Sequence, residues 1–209
     1  MYRSMRINST NKINAVCVYC GSSAGTEPVF GEAASQFGKI LAENGVRLIY
    51  GGGSVGLMGI LADAVLAHGG KATGIIPEFL TERERPRRLG QELIVTRGMH
   101  ERKRTMFDRA DAFVAMPGGI GTLEELVEQL TWAQLGRHSK PILIANINGY
   151  WDPLLTLFAH MRERAFVPDS LSINFLVTDR VEDILPVLRQ AALAPAEAEK
   201  PMAIPADRL

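Results

Sequence analysis

The sequence has few cysteines, no excess of charge of either sign and no long apolar run. Its 209 residues contain 23 basic and 23 acidic side chains, and this balance disfavours a nucleic-acid-binding protein, which usually carries a basic excess. No segment approaches the roughly 20 apolar residues that span a bilayer, and no N-terminal stretch resembles a signal peptide. Because only two cysteines occur, we do not expect a disulfide framework. We therefore expect a cytoplasmic protein without a membrane or nucleic-acid partner.

The two cysteines form a Cys-x-x-Cys pattern that is also typical of redox proteins. Cys17 and Cys20 lie in an apolar run that is predicted to be a buried strand, where positions i and i+3 point to opposite faces. A disulfide needs Cβ atoms that face each other. We therefore expect both thiols to serve core packing.

Short β-rich runs alternate with longer helical patterns along the chain. The predicted strands are Ala15–Tyr19, Val46–Tyr50, Ala72–Ile76, Glu92–Thr96, Ala112–Met116, Pro141–Ala145 and Phe175–Thr178. The predicted helices are Val29–Asn44, Leu57–His68, His100–Ala110, Thr122–Leu135, Trp151–Ala165 and Val181–Ala191. This alternation predicts an α/β, Rossmann-like, doubly wound parallel sheet with helices on both faces. We expect one domain over residues 13–193, a flexible N-terminus at 1–12 and a disordered tail at 194–209.

Three predicted strand ends are rich in glycine, and ligands of open α/β sheets bind at such ends. The loops are Cys20–Ser23 (CGSS), Gly51–Gly59 (GGGSVGLMG) and Pro117–Thr122 (PGGIGT). Glycine lets backbone N–H groups approach a phosphate, and a following helix adds about half a positive charge. Tight turns alone would also use glycine, but three such loops favour a nucleotide site. None of them is a Walker A motif, and the pattern for NAD is not convincing.

Charged side chains flank these loops on the predicted helices. Glu124 and Glu125 are predicted in the first turn after the third loop, where the helix dipole alone favours acids. Arg102 and Lys103 are predicted in the first turn of another helix, where the dipole disfavours cations, which suggests an anionic partner. The arginine-rich segment Thr81–Gln91 fits either a solvated loop or a lid beside an anion site.

Three motifs together resemble the LONELY GUY family of cytokinin riboside 5′-monophosphate phosphoribohydrolases, many members of which carry the older label lysine decarboxylase-like. They are Gly51–Gly59, Met99–Lys103 (MHERK) and Pro117–Glu125 (PGGIGTLEE), and Thr131–Gly136 (TWAQLG) is also similar. The resemblance covers about residues 13 to 190. It implies a Rossmann-like homodimer or higher oligomer with active sites near the subunit interface.

The resemblance also implies roles for individual residues. Arg102 and Glu125 match the proposed catalytic pair. The substrate-binding candidates are Ser22, Gly52, Gly53, Glu84, Met99, Arg102, Lys103, Gly118, Gly119, Ile120, Gly121, Thr122, Leu123, Glu124 and Thr131. The sequence departs from the plant pattern at Ile120, where plant members often carry an aromatic residue.

The implied reaction cleaves the N-glycosidic bond of a nucleoside 5′-monophosphate, such as AMP or a cytokinin nucleotide. A carboxylate can stabilise the cationic ribose or position water, and the sequence leaves the choice between base and electrostatic partner open. No cofactor is expected, and no Cys/His spacing indicates a metal.

Two other functions compete with this prediction. A non-catalytic carrier of a nucleotide or of molybdenum cofactor would use the same fold, but it would not need the paired acids. A true lysine decarboxylase would need a Schiff-base lysine, for which Lys39, Lys71, Lys103 and Lys140 are candidates in name only. The helix Thr122–Leu135 shows more apolar surface than one sheet face need cover, which favours a homodimer.

Overall fold

Seven parallel strands form one sheet in the order β4-β3-β2-β1-β5-β6-β7. This computed structural model describes residues 13–84, 90–167 and 174–193. The strands are β1 (Ala15–Tyr19), β2 (Arg47–Tyr50), β3 (Ala72–Pro77), β4 (Glu92–Thr96), β5 (Ala112–Ala115), β6 (Ile142–Ala145) and β7 (Leu176–Thr178). Each predicted strand is present, so the predicted fold class is confirmed.

Helices connect successive strands. They are α1 (Pro28–Glu43), α2 (Gly56–Ala67), α3 (Thr81–Glu84), α4 (Met99–Arg109), α5 (Ile120–Gln134), α6 (Asp152–Glu163) and α7 (Val181–Leu193). Short 3-10 turns occupy Glu78–Leu80 and Ile147–Gly149. Six of these helices match predicted ones, whereas α3 and the 3-10 turns were not predicted. These pieces are too short to produce a helical hydrophobic period.

The helices form one layer on each face of the sheet because successive strand residues point to opposite faces. Val16 and Val18 of β1 pack in one core with α1, α2 and α7. Cys17 and Tyr19 pack in a second core with α4, α5 and α6. Within α1 the buried residues Phe30, Ala33, Ala34, Phe37 and Leu41 follow the helical period, which fixes the face turned to the sheet.

Cys17 and Cys20 belong to these two different cores and are both free and buried. The prediction that they face opposite sides of the sheet is confirmed. Burial raises the pKa of both thiols.

The strand order reverses direction at β1. The chain builds β1 to β4 outwards on one side, and the connection through α4 then returns it to the other side of β1, where β5 pairs. The carboxyl ends of β1 and β5 therefore border the crevice in which open α/β sheets bind ligands.

Several predictions fall outside the described residues. These are the flexible N-terminus at 1–12, the tail at 194–209 and most of the arginine-rich segment, of which residues 85–89 are not described. The single domain over 13–193 stays a prediction. Within the described ranges, no helix combines the length and apolar character needed to cross a membrane.

Candidate active site

The three glycine-rich loops contact one another at the carboxyl edge of the sheet. The Gly21 N–H donates to the Pro117 carbonyl at 3.0 Å, which joins the loops after β1 and β5. The Met58 N–H at the start of α2 donates to the Gly21 carbonyl at 3.3 Å. The loop after β1 therefore lies between the other two, as the sequence predicted for strand ends that border one crevice.

Gly118 is required by this close approach. A Cβ atom at this position would lie 2.8 Å from the Gly21 nitrogen and 2.7 Å from the Thr122 Cβ. Thr122 is itself buried, so its side chain cannot move away easily. The backbone of the turn after β5 therefore packs directly against the backbone of the loop after β1, with no room for a side chain at residue 118.

Helix α5 begins two residues earlier than predicted, because Gly119 is its N-cap and Ile120 its first residue. The glycine at 121 lies inside the helix, although glycine usually indicates a turn. Glu124 and Glu125 therefore lie in the second turn, and the first turn contains no acid. The dipole effect falls off within the first turn, so it does not explain these two carboxylates.

Glu125 forms an ion pair with Arg102 of α4 in the interior of the site. The Arg102 Nη1 and Glu125 Oε1 atoms lie 2.9 Å apart, and the two side chains are only 11% and 10% exposed. The Arg102 Nε–H donates to the Ile75 carbonyl of β3 at 3.0 Å, which fixes the guanidinium from a second direction. The guanidinium also lies over Gly51, where a Cβ would collide with it.

The environment of Glu125 shifts its proton affinity. Burial raises the pKa of the Glu125 carboxyl above its usual range, because the low dielectric disfavours the charged form. The positive charge of Arg102 acts in the opposite direction. Perturbed carboxyl groups in a cleft are typical of functional sites.

Lys103 lies between two further carboxylates of α5. Its Nζ atom is 2.6 Å from Glu124 Oε1 and 2.9 Å from Glu128 Oε1. Partial burial disfavours the charged ammonium, but the hydrogen bonds to both carboxylates outweigh it and raise the pKa of Lys103. Glu128 is mostly buried, whereas Glu124 is half exposed at the surface.

These contacts correct the explanation that the sequence suggested for the cations of α4. Arg102 closes the first turn, with its N–H donating to the Gly98 carbonyl, and Lys103 lies beyond it. The anions that both side chains face are carboxylates of α5 in the same chain. The family resemblance implied the pair Arg102–Glu125, but the pairing of Lys103 with Glu124 and Glu128 was not visible in the sequence because more than 20 residues separate the partners.

The remaining predicted residues differ in their positions relative to this cluster. Gly52 and Gly53 are buried in the turn after β2, and Met99 is half-buried at the start of α4. The side chain of Ile120 is 82% exposed beside the glycine turn. The exposed candidate residues also include Ser22, Gly119 and Gly121, whereas Leu123 packs against the core.

One predicted residue, Thr131, is not brought to the cluster. Thr131 is exposed, its hydroxyl donates to the Val127 carbonyl, and it lies about 10 Å along α5 from Glu124. The side chain of Glu84 lies outside the described residues.

Sequence reasoning missed Tyr150, which follows β6 and donates its hydroxyl to the Gly118 carbonyl at 2.5 Å. It also missed Glu128. An aromatic residue in a Gly-Tyr-Trp turn just after a predicted strand, at the same edge as the glycine loops, could have indicated Tyr150.

The sequence is similar to proteins of known family. A family model described as "Possible lysine decarboxylase" matches residues 58–188. The chain is 47% identical over 156 residues to a rice (Oryza sativa subsp. japonica) protein named "Probable cytokinin riboside 5'-monophosphate phosphoribohydrolase LOGL1", covering 75% of this chain and 70% of that one. It is 47% identical over 158 residues to the Arabidopsis thaliana phosphoribohydrolase LOG7, covering 75% and 72%. The chain belongs to the LONELY GUY family.

Solved structures at much lower sequence identity also share the fold of this LONELY GUY family member. A molybdenum cofactor binding protein from Rippkaea orientalis superposes with a TM-score of 0.64 at 19% identity, covering 86% of this chain and 97% of that one. A Moco carrier protein from Chlamydomonas reinhardtii superposes with a TM-score of 0.65 at 20% identity, covering 86% and 98%. At these identities the likeness concerns the fold alone.

The four lysines that the structure of this LONELY GUY family member describes do not resemble a Schiff-base site. Lys103 is held by two carboxylates, and Lys140 donates to the Phe107 carbonyl at 2.6 Å with its ammonium over the Phe107 ring. Lys39 and Lys71 are exposed, away from the glycine loops. In the part of the chain that the structure describes, no group of three or more His, Cys, Asp or Glu is arranged to hold a metal ion.

Proposed function

We propose that this protein hydrolyses the N-glycosidic bond of a nucleoside 5′-monophosphate to give the free base and ribose 5-phosphate. The observation that carries the proposal is the buried Arg102–Glu125 pair beside the glycine-rich turn that begins α5. The relatives at 47% identity are named for this reaction on cytokinin riboside 5′-monophosphates. AMP and N6-prenylated AMP are the candidate substrates.

The chemistry of the bond explains why a carboxylate is needed. As the bond from ribose C1′ to the base nitrogen breaks, its electron pair leaves with the base and C1′ becomes cationic. The Glu125 carboxylate stabilises that cation and receives a proton from the water whose oxygen attacks C1′. The departing base takes up one proton in exchange, which gives the neutral free base and returns Glu125 to its ionised form. The charge of Arg102 favours the ionised form of this carboxyl group, in opposition to the burial that raises its pKa.

The backbone of the turn Pro117–Thr122 provides the phosphate site. The N–H groups of Gly119, Ile120, Gly121 and Thr122 precede the first hydrogen bond of α5, in which the Leu123 N–H donates to the Gly119 carbonyl. Such free N–H groups at a helix start bind anions. Lys103, with Glu124 as its exposed partner, borders the same end of α5.

The test is to incubate the purified protein separately with AMP, isopentenyladenosine monophosphate and adenosine. We expect free base and ribose 5-phosphate from the monophosphates and far slower cleavage of adenosine, which lacks the phosphate. Comparable rates for adenosine and AMP would exclude the phosphate site. Binding of AMP without any release of base would instead support a non-catalytic carrier.

The exposed face of α5 supports a homodimer, with a higher oligomer as the extension of the same contact. Leu126 and Leu130 pack on the sheet and Trp132 packs on Phe107, so these residues do not form the apolar surface that the sequence suggested. Val127 and Leu135 are 40% and 67% exposed, eight residues apart on one face of α5.

Thr131 lies between Val127 and Leu135 on this face, so a second copy docked there would bring it into an interface. Light scattering at micromolar protein concentration should report a dimer, and Leu135→Asp should shift it towards the monomer. A monomeric wild-type protein would exclude this assembly. We also propose a cytoplasmic location, in keeping with two free cysteines.

A further inference from the structure

Tyr150, which is not part of the candidate catalytic pair, forms a hydrogen bond with the glycine turn that precedes α5. It follows the 3-10 turn Ile147–Gly149 after β6, and its hydroxyl donates to the Gly118 carbonyl at 2.5 Å. This distance is at the short end of the range for O–H···O hydrogen bonds. The contact joins residues 32 positions apart and is the bond by which the loop after β6 reaches the turn before α5.

The peptide group that accepts this hydrogen bond also carries a free donor. The Gly118 carbonyl and the Gly119 N–H belong to one planar trans peptide, so they point in opposite directions. Holding the carbonyl towards Tyr150 therefore directs the Gly119 N–H away from Tyr150. Gly119 is the exposed N-cap of α5, and its N–H precedes the helical hydrogen bonds.

This peptide needs an external restraint because glycine stands on both sides of it. Rotation of the peptide plane changes ψ of Gly118 and φ of Gly119, and glycine accepts the resulting conformations with little steric cost. The contacts of Gly118 with Gly21 and Thr122 fix the Cα atom but not the plane of the following peptide. The Tyr150 hydroxyl supplies the missing restraint on the carbonyl.

The Tyr150 ring is itself held in place. It makes edge contacts with Phe30 of α1 and with Trp151, at centroid distances of 5.5 and 4.9 Å. The preceding turn is fixed by Asn148, whose side chain donates to Glu27 at 2.8 Å, and by Asn146, whose side chain accepts from the Trp151 N–H at 2.7 Å. The hydroxyl therefore presents its proton from a supported position.

We propose that Tyr150 is a positioning residue that orients the Gly118–Gly119 peptide so that the Gly119 N–H is available to the substrate phosphate. Tyr150 acts through the backbone and does not take part in bond cleavage. The inference rests on the proposed function in one respect, namely that the phosphate of a nucleoside monophosphate binds at the start of α5.

The first test compares Tyr150→Phe with Tyr50→Phe. The first variant loses the bond to Gly118, and the second loses a bond of similar length, 2.6 Å, to Gln91, which does not involve the Gly118–Gly119 peptide. Loss of one hydrogen bond predicts a rise in KM for AMP of about 3- to 10-fold in Tyr150→Phe, with kcat within about twofold of wild type. Tyr50→Phe should leave KM unchanged.

Adenosine separates positioning of the phosphate site from a general structural role. It lacks the phosphate, so its kcat/KM should be the same in Tyr150→Phe and in the wild type. If KM for AMP stays within about twofold of wild type, or if AMP and adenosine lose activity equally, the proposal is overturned. A lowered melting temperature with an unchanged KM would mean that Tyr150 only supports the fold.

A binding measurement keeps this inference distinct from the proposed function. If the wild type hydrolyses no monophosphate, the proposed function fails, and calorimetric titration with AMP still tests Tyr150. The dissociation constant should rise by about the same 3- to 10-fold in Tyr150→Phe. In protein labelled with ¹⁵N-glycine, AMP should shift the Gly119 amide resonance in the wild type and shift it less in the variant. Equal affinities and equal shifts would overturn the inference.

Discussion

Arginine and glutamate side chains form ion pairs at both ends of the parallel strands, but their surroundings differ. At the amino edge, Glu92 of β4 lies 3.0 Å from Arg109 and 3.5 Å from Arg47, and these side chains are 36–44% exposed. At the carboxyl edge, Arg102 and Glu125 lie 2.9 Å apart with about a tenth of each side chain exposed. Exposed pairs of this kind contribute little to stability, whereas a buried pair carries a desolvation cost.

The pKa shifts of the two glutamates have opposite signs. The hydrogen bond donated by Thr73 lowers the pKa of Glu92, assisted by the nearby arginines. Burial raises the pKa of Glu125 in spite of Arg102. The surroundings of Glu92 therefore favour its charge, whereas those of Glu125 disfavour it. We interpret that cost as the consequence of a catalytic role.

The largest expected difference between the two edges is in turnover. Glu125→Gln keeps the side-chain volume and removes the charge, so kcat should fall about 100-fold or more. Glu92→Gln makes the same chemical change at the amino edge and should leave kcat unaltered. Steady-state kinetics with AMP measure both. Retention of more than about a third of wild-type kcat in Glu125→Gln would refute the assignment of Glu125.

A smaller difference is expected when arginine is replaced by lysine at each edge. Arg102 donates from Nε to Ile75 and from Nη1 to Glu125, and a single ammonium cannot reproduce this geometry. Arg102→Lys should therefore lower kcat/KM by about tenfold or more, the equivalent of one charged hydrogen bond. Arg109→Lys is the matched control at the surface. An Arg102→Lys variant with the kcat/KM of wild type would mean that a positive charge at this position suffices without the guanidinium geometry.

The dependence of stability on pH should have opposite signs for the two glutamates. As the pH rises through 4.5, the unfolded chain loses the Glu125 proton before the folded chain does, so this residue lowers the free energy of unfolding. On going from below to above that pH, the stability of Glu125→Gln should therefore rise relative to that of wild type. Glu92 stabilises above 4.5 and loses that contribution as the pH falls through its lowered folded pKa.

Urea denaturation of the wild type and the two glutamine variants, at about pH 3 and about pH 7, measures these differences. Glu92→Gln should become less stable relative to wild type on going to the higher pH. If the stability of both variants relative to wild type changes in the same direction with pH, the assignment of opposite environments to the two carboxyl groups is wrong.

The smallest expected effect is at Thr73, which is fully buried and donates to Glu92 at 2.9 Å. Thr73→Val preserves the shape and removes this donor. The free energy of unfolding should fall by about 0.5–1.5 kcal/mol, with no change in kcat. Chemical denaturation together with AMP turnover checks both parts, and a loss of turnover would mean that the two edges are coupled through β3.

The sequence was sufficient to predict the seven strands and the edge at which the glycine loops meet, because apolar runs and glycines have local causes. It was insufficient at the start of α5, where Gly121 is helical although its residue type indicates a loop. It also did not show the partners of Lys103 or the hydrogen bond from Tyr150 to Gly118. The Gly-Tyr-Trp turn could indicate that Tyr150 lies at this edge of the sheet, but both contacts join elements distant in the chain, so no local pattern identifies the partner atoms.

Because Cys17 and Cys20 face opposite sides of the sheet, the opening of each helical layer can be measured separately. Both thiols are unreactive while they are buried, and each belongs to a different helical layer. Pulsed alkylation followed by mass spectrometry of the peptides would therefore report, without any engineered probe, which layer opens first. Modification at Cys17 would follow exposure of the layer that carries Arg102 and Glu125, and modification at Cys20 exposure of the layer on the other side. Two rates from one native chain would thus distinguish local opening of the site from unfolding of the whole domain.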